Sequence, residues 1–98
     1  MTLADRIRAE ARLIILKALA GQPNESLTST MLALELETFS IRRERGWVHD
    51  EMRWLAEAGA IRVTEAGTVL IGTLTEKGAR HLSREIAIEG VLRPSREA

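Results

Sequence analysis
Twice along this chain the spacing of apolar residues changes, and that pair of changes limits the possible folds more than any other feature. Up to Ala58 the apolar residues recur every three or four positions, as in helices buried along one face. From Ile61 the spacing drops to two: Ile61, Val63 and Glu65 alternate with Arg62 and Thr64. Ala66-Gly67 interrupts the run, and Thr68–Leu74 is rich in β-branched residues. Two short runs joined by a tight glycine-containing turn make a β-hairpin. At Thr75 helical spacing returns, with Ala79, Leu82 and Ile86 on one side. The expected order is therefore three helices, a hairpin and a last helix.

The helix boundaries follow from local chemistry. Thr2 caps a first helix from Leu3 to Ala20, with Asp5 at its third position completing an aspartate form of the capping box, and Gly21 and Pro23 stop it. Leu3, Ile7, Ala11, Ile14 and Ala18 form one stripe, which Leu13, Leu16 and Leu19 widen beyond a single face. A helix so broadly apolar is expected to pack against two things, one of them a partner subunit. Ser26-Leu27 fits a very short strand. Thr28 or Ser29 caps a second helix over Thr30–Thr38, with Met31, Leu32, Leu34 and Leu36 as its apolar surface. The firm part of the third is Trp47–Ala58, with Val48, Met52 and Leu55 inward. Arg42–Gly46 is either its first turn or an extended approach loop, and Gly59 is placed to end it. Gly90 and Pro94 close the last helix, giving a domain over 1–90 and a tail over 91–98 that frays from Pro94 to Ala98.

With 98 residues, 45% of them hydrophobic, the chain is one small domain with enough apolar material for a core. A domain this size buries about 60–65% of its unfolded surface, so dimerisation would help it. Fourteen basic residues balance fourteen acidic ones. Net neutrality excludes a protein that coats nucleic acid indiscriminately but leaves room for a local basic patch. The lack of cysteine excludes disulfides, thiolate metal sites and cysteine nucleophiles. Leu13-Ile14-Ile15-Leu16, between Arg12 and Lys17, is too short for a membrane span or a signal peptide, so a cytoplasmic location is expected. The two histidines form no metal-binding spacing, and neither a nucleophile elbow nor a phosphate-binding loop occurs. No enzyme, metal or cofactor is expected.

Three helices followed by a hairpin is the winged helix-turn-helix order. In detail, Met52-Arg53-Trp54-Leu55-Ala56-Glu57-Ala58-Gly59-Ala60-Ile61 resembles the end of a winged-helix recognition helix handing over to the wing. Leu74-Thr75-Glu76-Lys77-Gly78-Ala79-Arg80-His81-Leu82 resembles the segment that leaves the wing in MarR-, PadR- and ArsR-like regulators. Gly90-Val91-Leu92-Arg93-Pro94 is also similar to small winged-helix proteins of Mu-like prophages. The resemblance covers Thr28 to Leu82. It implies a mainly α (α+β) winged helix-turn-helix: a three-helix core, a two-stranded wing at about 61–74 and a C-terminal helix. It also implies a sequence-specific transcriptional regulator that binds double-stranded DNA through a recognition helix at about 42–58. Two departures stand out. Thr38–Gly46 is longer than the usual tight turn, and the short wing, tipped by Ala66-Gly67, carries Arg62 alone as a basic residue. The rival expectation is a winged-helix protein–protein module, such as a phage or prophage accessory or assembly factor.

Opposite Val48, Met52 and Leu55 on the third helix lie Gly46, His49, Asp50, Arg53 and Glu57. The candidate DNA-contacting residues are Arg42, Arg43, Arg45, His49, Arg53 and Arg62. Arginine's fork binds phosphate oxygens, or the O6 and N7 of guanine, with two parallel hydrogen bonds. Across Ser40–Trp54 four arginines face Glu44, Asp50 and Glu51, a surplus of one positive charge. Trp47 and Trp54 read as a packing edge, not as stacking platforms for bases. His81, among Arg80, Ser83 and Arg84, reads as a surface residue. Surplus apolar residues on the terminal helices (Leu13, Leu16, Ile86 and Ile88) point to a homodimer formed through them.

Overall fold
A computed structural model describes residues 1–96, so the last two positions of the expected tail, Glu97 and Ala98, lie outside the described residues. Helix α1 spans Leu3–Ala20, and its start is the capping box expected from the sequence: Asp5 N–H donates to Thr2 Oγ1 at 3.1 Å, and Thr2 N–H to the Asp5 carboxylate at 3.2 Å. Strand β1 is Ser26–Thr28, helix α2 Ser29–Thr38 and helix α3 Arg45–Glu57. Strands β2, Ile61–Ala66, and β3, Val69–Leu74, form the hairpin, and helix α4 is Glu76–Leu82. The hairpin tip is Gly67-Thr68, one residue later than expected.

The core lies where α1 meets the other elements. Ala11, Ile15, Leu16 and Leu19 of α1 are wholly buried against α2, α3 and β3, together with Leu32, Met52 and Leu55. The widened stripe of α1 is thus absorbed inside one protomer. No helix among the described residues is long and apolar enough to cross a membrane.

The wing has a third strand. β1 pairs antiparallel with the free edge of β3 (Ser26↔Thr73, Leu27↔Gly72, Thr28↔Ile71), giving the order β1-β3-β2. An open edge on β3 would leave a row of backbone groups unpaired, and three residues suffice to cover it. The whole is an α+β winged helix-turn-helix with its wing enlarged by that strand.

Helices α2, α3 and α4 end in the same way. In each, the residue after the cap takes a left-handed backbone (Ser40 at φ 64°, Gly59 at 82°, Arg84 at 67°). The next amide then donates to the carbonyl five positions earlier: Ile41 to Leu36 O, Ala60 to Leu55 O and Glu85 to Arg80 O, at 2.9–3.0 Å. This is the Schellman motif. It shortens the expected last helix, which stops at Leu82 and does not run to Gly90.

Beyond Arg84 the chain is an ordered return strap, not a helix with a frayed end. His81, expected at the surface, is fully buried beneath it. Ile88 N–H donates to His81 Nδ1 at 3.0 Å, so Nε2 carries the ring proton and donates to Leu92 O, also at 3.0 Å. Leu92 N–H in turn donates to Ala9 O of α1 at 3.0 Å, and the Arg84 guanidinium to Pro94 O. Ile88, Val91 and Pro94 are buried. The strap covers a flank of α1 that was expected to face a partner.

The Leu74–Gly78 run owes its character to α3. Thr75 Oγ1 donates to Gly59 O at 2.6 Å and accepts from Gly78 N–H at 3.2 Å, while Lys77 Nζ donates to Ala58 O at 2.7 Å. The lysine satisfies a terminal carbonyl of α3 and places its charge at the negative end of the helix dipole. Gly78 packs so closely that a Cβ there would sit 2.3 Å from Ala60 O. The motif clamps the start of α4 onto the end of α3.

Candidate nucleic-acid interface
The loop between α2 and α3 is held by Ile41, which is buried and donates its amide to Leu36 O. Beyond it the chain is extended from Ile41 to Glu44, which decides between the two readings of Arg42–Gly46: Arg42 and Arg43 lie on an approach loop, and Arg45 opens the helix. All three arginines are exposed. Arg43 donates to Arg42 O at 2.9 Å, and its guanidinium lies 5.4 Å from the centre of the half-buried Trp47 ring.

On α3 itself, Arg53 is exposed and reaches Glu65 of β2 at 3.4 Å, an ion pair between helix and wing. His49 is half-buried, with Nε2 3.0 Å from Ser29 Oγ. The same hydroxyl accepts the Leu70 amide at 3.0 Å, so His49 is tied to the junction of α2 and β3. Burial, then the nearby cations Arg45 and Arg53, holds the imidazole below its ordinary value of 6.5, with Asp50 opposing them. At neutral pH the ring is uncharged.

Arg62 is exposed but stands apart. Ile61 packs inward near Gly72 and the α3 core, and side chains alternate along a strand. Arg62 therefore projects from the other sheet face, paired in register with Thr73, whose hydroxyl meets Ser26 Oγ at 2.7 Å. Arg42, Arg43, Arg45 and Arg53 are all exposed, but around different flanks of α3: Arg43 lies beside Trp47 and the start of α1, Arg45 beside Ser29, Thr30 and Ala33 of α2, and Arg53 beside Val63 and Glu65 of the wing, while Arg62 projects from the other sheet face.

Glu51, counted in the sequence with the surface acids, is 5% exposed. Its carboxylate accepts from Arg12 Nε at 2.7 Å, and Arg8 lies 3.8 Å away. Arg12 also donates to Gly90 O at 2.9 Å, and its guanidinium carbon lies 3.7 Å from the centre of the Trp54 ring. One arginine thus joins α1, α3 and the return strap, and Trp54 is a packing residue beneath it. Helical spacing held a signal for this: Glu51 follows Val48 by three and precedes Leu55 by four, within the inward sector. With Glu51 turned inward, the four arginines of residues 40–54 face only Glu44 and Asp50, and the outward surplus rises to two.

No protein-family model matches the sequence, and no curated protein sequence matches it. Two solved structures share its fold. The complex structure of hsRosR-S1 superposes with a TM-score of 0.64 at 17% identity, over 76% of this chain and 65% of that one. The complex structure of hsRosR-S4 gives 0.64 and 17%, over 81% and 73%. The chain thus spans about two thirds of the length of the first. At this identity the likeness is one of fold.

Proposed function
We propose that this chain is a sequence-specific DNA-binding transcriptional regulator of the cytoplasm, with α3 lying in the major groove and the β2–β3 hairpin beside it. The observation that carries the reading is the inward turn of Glu51, which clears a carboxylate from the arginine-bearing side of a helix in the recognition position. Arg42, Arg43 and Arg45 enter that helix together, suited to phosphate oxygens, and Arg53 lies two turns on, suited to a base edge or a further phosphate. About four phosphate contacts per copy give weak binding at physiological salt, so a homodimer belongs to the reading.

The rival reading, a winged-helix module that binds protein, draws support from the Arg53–Glu65 pair and from Arg62 on the far sheet face. Both dilute the positive field. Fluorescence anisotropy on DNA selected from a random pool separates the two. Replacing Arg43, Arg45 and Arg53 by Ala is expected to weaken binding and to lower the salt slope by about one unit per phosphate contact removed. Glu65→Gln, which releases Arg53, is expected to tighten it. Failure to select any DNA, or an affinity and slope unchanged in the triple variant, would overturn the DNA reading.

A further inference from the structure
We propose that the cleft between the first two turns of α1 and the approach loop binds a nucleoside monophosphate, and that its occupant takes Arg43 away from DNA. The competition rests on the DNA reading above; the site itself does not. Leu3, Ala4, Ile7 and Arg8 form one wall, and Arg43 and Trp47 the other, around a volume of about 340 Å³. The four α1 residues share a face because they pair at helical spacing, Leu3 with Ile7 and Ala4 with Arg8. Leu3 is 75% exposed, which gives the cleft an apolar lip.

Charge selects an anion. Both ionisable residues that line the cleft are arginines. Arg8 lies 3.7 Å from the Asp5 carboxylate and 3.8 Å from that of Glu51, too far for a hydrogen bond, and among the described residues its donors are uncommitted. Arg43 uses one nitrogen, on Arg42 O at 2.9 Å. Two guanidinium groups with donors to spare suit a phosphate monoester, whose oxygens accept from both. The walls select a ring. Arg12 is pressed onto Trp54 at 3.7 Å, whereas Arg43 stands 5.4 Å from the centre of the half-buried Trp47 ring, which borders the cleft. A base can stack on that ring with Leu3 and Ile7 across from it, and such stacking tolerates any base. Size separates a nucleotide from a simpler aromatic acid. One benzene ring fills a cavity of about 150 Å³, and this cleft has more than twice that volume, room for a base and its sugar. Arg43 belongs both to the cleft and to the arginines that enter α3, so a bound nucleotide and DNA compete for it.

Calorimetric titration of adenosine 5′-monophosphate into the whole chain, without DNA, tests the site. A dissociation constant on the order of 100 μM is expected, with quenching of tryptophan fluorescence. Ribose 5-phosphate, which lacks the ring, and adenosine, which lacks the anion, should each bind at least about tenfold more weakly. Arg8→Gln and Trp47→Leu should each weaken binding about tenfold, and circular dichroism melts verify that both stay folded. Leu3→Asp, at an exposed position outside the core, should weaken it too, by setting a carboxylate against the phosphate. Absence of binding at millimolar nucleotide overturns the inference. So does equal binding of ribose 5-phosphate or adenosine, or an affinity indifferent to all three substitutions. Saturating nucleotide should also weaken binding to the selected DNA, and an unchanged DNA affinity overturns the competition for Arg43. A chain that binds DNA but no nucleotide overturns this inference alone, and one that binds nucleotide but selects no DNA overturns only the DNA reading.

Discussion
Arg12 holds Glu51, Trp54 and the carbonyl of Gly90, and its loss would be felt at all of them. Arg12→Met keeps much of the packing over Trp54 but leaves Glu51 buried with only the longer, more exposed contact to Arg8 at 3.8 Å for charge. Removing one member of a buried pair costs about 3–5 kcal/mol, and partial access of water to Arg12 places this case at the lower end, about 3 kcal/mol, read by urea denaturation. Pairing it with Glu51→Met should recover a large part of the loss, because the orphaned charge goes too. His49 makes a different prediction. Its folded value lies below the ordinary 6.5, so the unfolded chain takes up a proton more readily than the folded one. Its contribution is therefore complete above about pH 6.5 and is lost as the pH falls through the depressed folded value. Denaturation midpoints measured across that window should drop more steeply for wild type than for His49→Gln, and parallel curves would refute the assignment.

At the scale of elements, legibility depends on whether the signal is local and its residue type diagnostic. Thr2 with Asp5, and Thr28, announce helix starts because the capping side chain and its amide are three residues apart. Three helices end in one motif, and the ends at Thr38 and Gly59 are legible, the first from the turn that follows it and the second from its left-handed glycine. Arg84 carries no such mark, so sequence overextends the last helix. The early stop of α4 is also what buries His81, whose partners Ile88 and Leu92 exist only once the chain turns back. The strained position yields a prediction. Ser40 is exposed, and a left-handed backbone costs a residue with a Cβ about 1 kcal/mol. Ser40→Gly should relieve much of it, raising the denaturation midpoint by an amount worth up to about 1 kcal/mol. A lower midpoint would mean that the glycine's added freedom in the unfolded chain outweighs the relief.

Across the whole molecule, the candidate interface is legible as composition and order but not as surface. The arginines before Trp47 can be counted in the sequence. Whether Glu51 opposes them is settled by Arg12, which lies 39 residues away. Arg62 likewise reads as a flank of the recognition helix until strand alternation puts the sheet between them. The apolar excess of the terminal regions, expected to form a dimer surface, is taken up by the protomer itself: Leu13, Leu16 and Ile88 are buried in its core and Ile86 packs against them.

The return strap also fixes where this protein can be shortened. A chain cut after Ser83 would strip both ring nitrogens of His81 of their acceptor and donor, uncover Ala9 O, and take the carbonyl of Gly90 from Arg12. The damage would travel through that guanidinium to α3, far upstream of the cut. Melting of the truncated form should therefore lose the sharpness of a single transition, because the closing residues act as a keystone for the helices that precede them.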